Sequence, residues 1–177
     1  APGFSDSDHY IGYLMQGGLE MPDREYYLSD NEQMKAIRAK YQAHIAGMLK
    51  LAGFSEPEAR AARVFALEHA IAEKHLSLAD NLDIRKANNL WTITEIKSKA
   101  PGLDWTEYFR GAGLTNQTHF MIWQPTAIAA ESSLVASTPL QDWKDWMAFH
   151  LVEDYAGVLP KAFADERFSF FGTTLGG

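Results

Sequence analysis

The stretch that decides how this chain folds is QGGLEMPDREYYLSD, residues 16–30. Its two adjacent glycines permit positive φ angles and Pro22 fixes φ, so the chain is predicted to reverse direction here. Ser29 and Glu32 then have the S-x-x-E spacing of a capping box, which predicts that a helix begins directly after the turn. The stretch therefore indicates a sharp turn that leads into a helix.

Helical spacing of apolar residues dominates the sequence after this turn. Apolar residues recur at three- and four-residue steps over residues 31–52, and Gly53 is predicted to end that helix. Ser55 and Glu58 have the spacing of a second capping box, which opens another long helix. The wide face that this helix is predicted to bury includes one acid, Glu68.

A third long helix is predicted over residues 139–159, with its aromatic residues in the core. One stripe of this helix contains Leu140, Trp143, Met147, His150, Leu151 and Tyr155. Shorter helices are predicted over residues 92–100, 105–112, 126–136 and 161–171, two of them opened by the pairs Thr92–Glu95 and Asp104–Glu107. The sequence therefore predicts an all-α domain of roughly seven helices with at most a minor strand pair.

Two segments have the alternation of strands. In residues 9–15, the side chains of Ile11, Tyr13 and Met15 fall on one face, and residues 119–123 form the second candidate. These two segments are the source of the minor strand pair in the predicted fold.

The composition excludes several functional classes. With 177 residues, 46% hydrophobic and 22% charged, the chain is predicted to be one globular domain. The formal net charge of −7 argues against a nucleic-acid partner, because phosphates require a basic face. No apolar run approaches about 18 residues, so no membrane segment is predicted. The chain has no cysteine, which excludes disulfides and thiolate metal sites.

Two clusters contain residues that could bind a metal ion. His69 and Glu73 are four residues apart and share a helical face, but no further ligand is evident, so an exposed ion pair is the favoured interpretation. His150 lies near Glu153 and Asp154, where a buried or helix-flanking histidine is favoured. We therefore predict no catalytic residue and no metal ligand in this chain.

The charged and aromatic run after the glycines is the candidate site. Asp23 and Glu25 flank Arg24 and are more simply its ion-pair partners than a pair of acid–base catalysts. The run is predicted either to fix a domain junction or to have a purely local structural role. Its candidate residues are Pro22, Asp23, Arg24, Tyr26 and Tyr27.

The same run carries a family resemblance. GLEMPDREYYL resembles the GLGLPDRDYYL segment of neprilysin-like zinc metallopeptidases, the group that includes the endothelin-converting enzymes, and departs from it at Glu20, Met21 and Glu25. Further matching segments follow in the order of the family. They are KAIRAKY (residues 35–41), APGLDW (100–105), STPLQDWK (137–144) and FFGTTLGG (170–177).

The resemblance implies a non-catalytic part of a larger enzyme. The family binds zinc through HExxH and a downstream glutamate, whereas none of the six histidines here is followed by glutamate. The chain thus resembles an N-terminal helical fragment of a two-domain peptidase, with no cofactor of its own and zinc in the parent enzyme. The fragment alone is expected to be inactive. Its start at Ala1-Pro2-Gly3 fits a piece taken from the interior of a longer chain.

The resemblance also implies partners and a location. The helical domain of the family walls a cavity that admits small peptides, so the expected partners are the catalytic domain of the same polypeptide and the peptide substrates of the parent. The absence of cysteine is typical of bacterial relatives, which suggests a periplasmic or secreted, soluble protein. Residues 9–15 resemble the second arm of a hairpin whose first arm is missing, and this cut edge would favour self-association.

A stand-alone helical interaction module is the alternative interpretation. In that case, Ile11, Tyr13, Trp146 and Phe149 are predicted to form an exposed apolar patch for a partner protein.

Overall fold

The computed structural model describes Asp8 and residues 10–176, and for Ile84 the backbone alone. In chain order its strands and α-helices are β1 Gly12–Leu14, α1 Glu25–Leu28, α2 Glu32–Leu51, α3 Pro57–Lys74, α4 Leu78–Asn81, β2 Asn89–Thr92, α5 Ile93–Lys99, α6 Trp105–Gly111, β3 His119–Ile122, α7 Pro125–Ser137, α8 Leu140–Asp154 and α9 Lys161–Arg167. A 3₁₀ turn, Ile84–Ala87, precedes β2, and a π-helical segment, Phe168–Leu175, follows α9.

The predicted helical class is confirmed. The structure is 63% helical, and seven α-helices of the described residues are at least seven residues long. No helix within the described part of the chain is long and apolar enough to cross a bilayer.

A small sheet of three strands replaces the expected strand pair. β3 lies in the centre, parallel to β1 and antiparallel to β2. Gly12 faces Phe120, and a Cβ at Gly12 would approach the Phe120 ring to 2.8 Å, so only glycine allows this close packing. One edge of β1 is thus paired within the chain. The predicted strand over residues 9–15 begins at His9, which lies outside the described residues. The truncated hairpin stays a prediction.

The strand β2 is missing from the sequence-based prediction. Its last residue, Thr92, also caps α5 in a complete capping box with Glu95. The sequence therefore indicates a helix start at Thr92, and that signal hides the strand before it. β2 pairs with β3 from Asn89↔Ile122 to Thr92↔His119.

The described residues form two compact units. The first contains the described residues up to Gly18 and residues 74–137, and the second contains residues 19–73 and the described residues from Thr138 onward. Whether they fold as the single domain expected for residues 1–177 stays a prediction.

The core of the first unit lies between its sheet and its short helices. Its fully or nearly buried residues are Leu14, Ile96, Ala100, Trp105, Phe109, Phe120, Ile122 and Ile128. The rings of Phe109 and Phe120 stack with centroids 4.0 Å apart. The Nε1–H of Trp105 donates to the Ala100 carbonyl at 2.6 Å, so the APGLDW segment packs against itself.

The core of the second unit is built on α2. This helix buries the residues Ile37, Tyr41, His44, Ile45, Met48 and Leu49, and it packs against α8, α9 and the π-helical segment. Gly53 follows it with φ 81°, as the sequence predicts for a helix-ending glycine. The predicted capping box of Ser29 and Glu32 is wrong, because Asn31 is the N-cap and accepts a hydrogen bond from the Met34 N–H at 2.8 Å.

The predicted stripe of α8 has the opposite orientation from the one expected. Leu140, Met147 and Leu151 are exposed, whereas the acids Asp145 and Glu153 are buried with Phe149. Each of these acids has basic partners: Asp145 is paired with Arg60 and Arg63, and Glu153 with Arg167 and the imidazole of His44. Paired acids tolerate burial, so ion pairs set the orientation of this helix.

Candidate functional site

A fully buried carboxylate on α3, that of Glu68, is the centre of a polar network in the second unit. Its Oε2 accepts hydrogen bonds from the hydroxyls of Tyr27 and Tyr41, both at 2.7 Å. Its Oε1 lies 2.7 Å from Nε2 of His150 on α8. An unpaired buried carboxylate costs several kcal/mol. Here both oxygens are paired, which makes the buried charge tolerable.

His150 lies between two carboxylates. Its Nε2 donates to Glu68, and its Nδ1 lies 3.2 Å from Oε2 of Glu20. Two acceptors on opposite ring nitrogens favour the doubly protonated ring. Burial lowers the pKa of His150, but the hydrogen bonds and charges of Glu20 and Glu68 outweigh it and raise the pKa from 6.5 to about 9. The ring of Trp146, with its centroid 4.3 Å away, adds a favourable contact for this cation.

The two tyrosines of the network stay protonated. Burial, followed by the charge of Glu68, raises the pKa of Tyr27 and that of Tyr41 far above their usual value. Both hydroxyls therefore act as donors to Glu68. The Tyr27 oxygen also accepts a hydrogen bond from the Met21 N–H at 3.0 Å. The network thus connects the turn at residues 20–27 to α2, α3 and α8.

A second buried histidine has a similar arrangement. Nε2 of His44 lies 2.9 Å from Oε2 of Glu153, and its Nδ1 lies 3.2 Å from Oε1 of Glu166. Nε of Arg167 lies 2.8 Å from the other oxygen of Glu153, and the Phe170 ring stacks on His44 with centroids 5.1 Å apart. This cluster connects α2, α8, α9 and the π-helical segment.

Comparisons with known proteins assign the chain to a family. Residues 1–177 match the N-terminal profile described as Peptidase family M13. The chain belongs to peptidase family M13. The crystal structure of the zinc metalloprotease ZMP1 of Mycobacterium tuberculosis in complex with an inhibitor is 32% identical, with a TM-score of 0.89 over 96% of this chain and 26% of that chain. The open state of the same metalloprotease gives a TM-score of 0.87.

Animal proteins of family M13 match over a similar range. Mouse endothelin-converting enzyme-like 1 is 24% identical over 152 residues, which are 83% of this chain and 20% of that protein. Human endothelin-converting enzyme 1 is 24% identical over 172 residues, which are 92% of this chain and 22% of that protein. The chain therefore spans about a fifth of the length of these relatives. The bacterial neighbours agree with the expectation of a bacterial relative.

The five candidate site residues of this M13 chain have different contacts in the structure and do not form one site. Tyr27 alone reaches the network, while Pro22 is exposed. Asp23 accepts a hydrogen bond from the Glu25 N–H at 2.7 Å, and Nε of Arg24 lies 3.7 Å from Oε1 of Glu25. The Tyr26 carbonyl accepts a hydrogen bond from Arg38 at 3.1 Å. The role of this run at a domain junction stays a prediction.

Gln16 and Gly17, before this run, have hydrogen bonds with residues 75 and 76 of the first unit. The Gln16 side chain accepts a hydrogen bond from the Leu76 N–H at 2.8 Å and donates to the Leu76 carbonyl at 3.3 Å. Nε2 of His75 lies 3.0 Å from the Gly17 carbonyl and 3.0 Å from Oε1 of Glu131. These contacts fix the path of the chain as it enters the turn.

The other predicted clusters have different partners in the M13 chain. His69 and Glu73 are partly exposed and 3.9 Å apart, an ion pair at the limit of contact. His150 is not grouped with Glu153, which belongs to the His44 cluster. Among the described residues, no group of three or more acids and histidines is placed to hold a metal ion.

The exposed apolar patch that was predicted for a stand-alone interaction module is not formed as predicted. Phe149 is fully buried, and Trp146, Ile11 and Tyr13 are partly buried. Phe149 belongs to the core of the second unit.

No sequence pattern identifies Glu68, Tyr41 and Glu20 as partners of one network. A partial signal is present, because Glu68 falls within the apolar face of α3 and Tyr41 within that of α2. An acid on a buried helical face requires a donor. The identity of that donor depends on contacts between residues 82 positions apart, such as His150 and Glu68.

Proposed function

We propose that this chain is the non-catalytic, N-terminal helical part of a neprilysin-like zinc metallopeptidase and walls the cavity that admits small peptides. One observation carries the proposal: the chain covers only 26% of a zinc metalloprotease that it matches with a TM-score of 0.89 and 32% identity. The parent enzyme hydrolyses peptide bonds at a zinc site outside this chain. The proposed location is periplasmic or secreted, which cell fractionation tests.

The residues of this chain do not fit the zinc site. The sequence contains no HExxH, and the described residues contain no metal-binding group of acids and histidines. The proposal therefore assigns hydrolysis to the rest of the polypeptide, and to this chain a role in access and shape.

The buried networks support the role of a rigid wall. A wall that selects peptides by size must keep its shape when a peptide enters the cavity. Glu68 and His150 hold α2, α3, α8 and the turn together, and fully satisfied buried polar networks favour one specific packing.

Peptide hydrolysis by the longer polypeptide and by this chain tests the proposed parent reaction. We expect zinc-dependent, chelator-sensitive cleavage of short peptides by the longer polypeptide, and none by the 177-residue chain at equal concentration. Chelator-sensitive cleavage that co-purifies with the chain alone would contradict the proposal.

A series of peptides of increasing length tests the wall. We expect kcat/KM of the longer polypeptide to fall beyond a limiting peptide length. The substitution Glu68→Gln is expected to loosen the wall and to raise kcat/KM for long peptides relative to short ones. If a folded Glu68→Gln enzyme shows the same dependence of kcat/KM on peptide length, the proposed role of this chain as a cavity wall is contradicted. The proposed parent reaction is not affected by that result.

The stand-alone interaction module is the second candidate. The exposed apolar residues of α8 favour it, since they offer a surface to another protein. The reading frame distinguishes the two candidates. A frame that continues into HExxH supports the peptidase, and a frame that stops without it supports the module.

A further inference from the structure

The outer face of α8 and the turn after it exposes five large apolar side chains along one stripe, with a lysine among them. We define this outer face by Leu140, Met147, Leu151, Tyr155 and Val158, whose exposed fractions are 68%, 64%, 57%, 57% and 81%. Single exposed apolar residues are ordinary on protein surfaces, whereas several on one helical face are typical of an interaction surface.

The spacing of this row fits another helix. Leu140, Met147 and Leu151, together with the exposed Lys144 between them, are separated by four, three and four residues. This is the a/d spacing at which two helices pack side by side at a small crossing angle. A strand or a loop does not require that spacing.

The orientation of the outer face is fixed by the opposite side of the helix. Asp145 and Glu153 are 1% exposed, and they pair with Arg63 and Arg167 at 2.7 and 2.8 Å. Rotation of α8 to bury Leu151 would bring these acids to the surface and break their ion pairs. The row of apolar residues therefore stays exposed in the chain as it folds.

Lys144 is the one charged side chain within this row of residues. Its side chain is exposed in the middle of the row and has no ion pair with any described residue. A lysine at a seam position favours a partner with an acid opposite it.

We infer that an amphipathic helix from the rest of the longer polypeptide packs along the outer face of α8, with a carboxylate opposite Lys144. This inference rests on the proposed function, since it requires a longer polypeptide. The solved metalloprotease continues well beyond the 26% of its length that this chain covers, so such a polypeptide has ample sequence to supply the helix. A tethered helix also has an effective concentration of about millimolar, an advantage over a free partner.

A second copy of this chain is the competing occupant. In an antiparallel pair of α8 helices, Lys144 would lie opposite the exposed Asp154, and Met147 opposite Leu151. The experiment must therefore separate protection within one polypeptide from protection by dimerisation.

Thiol labelling tests the inference, because the chain has no cysteine of its own. Met147→Cys and Leu151→Cys place a thiol on the outer face, and Ala39→Cys on the exposed side of α2 is the matched control. Each is made in the 177-residue chain and in the longer polypeptide, whose other cysteines are replaced. We expect maleimide to react at least about tenfold more slowly with Cys at 147 and 151 in the longer polypeptide, and equally with Cys at 39.

Three outcomes overturn the inference. They are equal labelling of the outer face in both proteins, equal protection of position 39, and protection lost on dilution together with a dimer in sedimentation. Peptide hydrolysis is measured on the same preparations. An active enzyme with an unprotected outer face overturns this inference alone, whereas a protected outer face without hydrolysis overturns the proposed function alone.

The charge of the partner has its own test. Lys144→Glu in the longer polypeptide is expected to speed the labelling of Cys at 151 severalfold, and Lys144→Gln to speed it less, because the glutamate would repel the facing carboxylate. Equal effects of the two substitutions would contradict the proposal that a carboxylate lies opposite Lys144.

Discussion

The imidazole of His150 lies 2.7 Å from the fully buried carboxylate of Glu68, and this ion pair connects α8 to α3. The same carboxylate accepts hydrogen bonds from Tyr27 and Tyr41. The helices α1, α2 and α3, which follow one another in sequence, and the distant helix α8 therefore meet at one side chain.

Removal of Glu68 is expected to destabilise the fold strongly. Glu68→Ala leaves a buried cation and two hydroxyls without their acceptor, and loss of one partner of a buried pair typically costs about 3–5 kcal/mol. Urea denaturation should show this as a lower midpoint. Glu58→Ala, at an exposed position in the first turn of the same helix, is the matched control and should change stability by less than about 0.5 kcal/mol. Equal midpoints for the two variants would show that the network contributes little.

The pH dependence of stability should report on His150. Its pKa is raised from 6.5 to about 9 on folding, so the stability it contributes is fully present below pH 6.5 and is lost as the pH rises through about 9. The difference in pKa corresponds to a contribution of the order of 3 kcal/mol. The measurement is the free energy of unfolding in urea from about pH 6 to about pH 10, for the parent chain and for His150→Gln. If both lose the same stability over this window, His150 is not the group responsible.

The adjacent tyrosines Tyr26 and Tyr27 of the run DREYY allow the contributions of their two hydroxyls to stability to be compared. Tyr27→Phe removes a hydroxyl that donates to Glu68 and accepts from Met21, and it should cost about 1–3 kcal/mol. Tyr26→Phe is the control, because its hydroxyl has no hydrogen bond with any described residue. It should leave the thermal midpoint nearly unchanged. A Tyr26→Phe effect as large as that of Tyr27→Phe would contradict this assignment.

The sequence predicted the parts of the fold that depend on local signals. The apolar spacing of α2, the helix end at Gly53 and the capping box of Thr92 with Glu95 are all present in the structure. Each rests on contacts between residues a few positions apart, which periodicity and capping rules describe directly.

The orientation of α8 and the Glu68 network could not be predicted in the same way. Periodicity predicts that one face of α8 is buried, but Asp145 finds Arg60 85 residues earlier in the chain, and this pairing decides which face. Similarly, Glu68 requires a donor, and nothing local to α3 identifies His150. Charges with distant partners can outweigh an apolar stripe, and only the tertiary structure shows those partners.

A glycine in the first unit gives the last prediction. A Cβ at Gly102 would lie 2.0 Å from the Ser132 carbonyl oxygen, which belongs to the backbone of α7 and cannot move aside as a side chain can. Gly102→Ala should therefore destabilise the chain by about 1–3 kcal/mol or more, as overpacking does.

Gly111, at the end of α6, is the matched control for this substitution. Apart from its chain neighbours and the backbone of its own helix, no atom of the described residues lies within 4 Å of a Cβ built there, and its φ is not positive. Gly111→Ala should be neutral or stabilise the chain by up to about 1 kcal/mol, because alanine has less conformational freedom in the unfolded state. Thermal melts of the two variants check the pair. Since both substitutions add one methyl group, a loss at Gly111 as large as that at Gly102 would show that the close approach of Gly102 to α7 is not the cause.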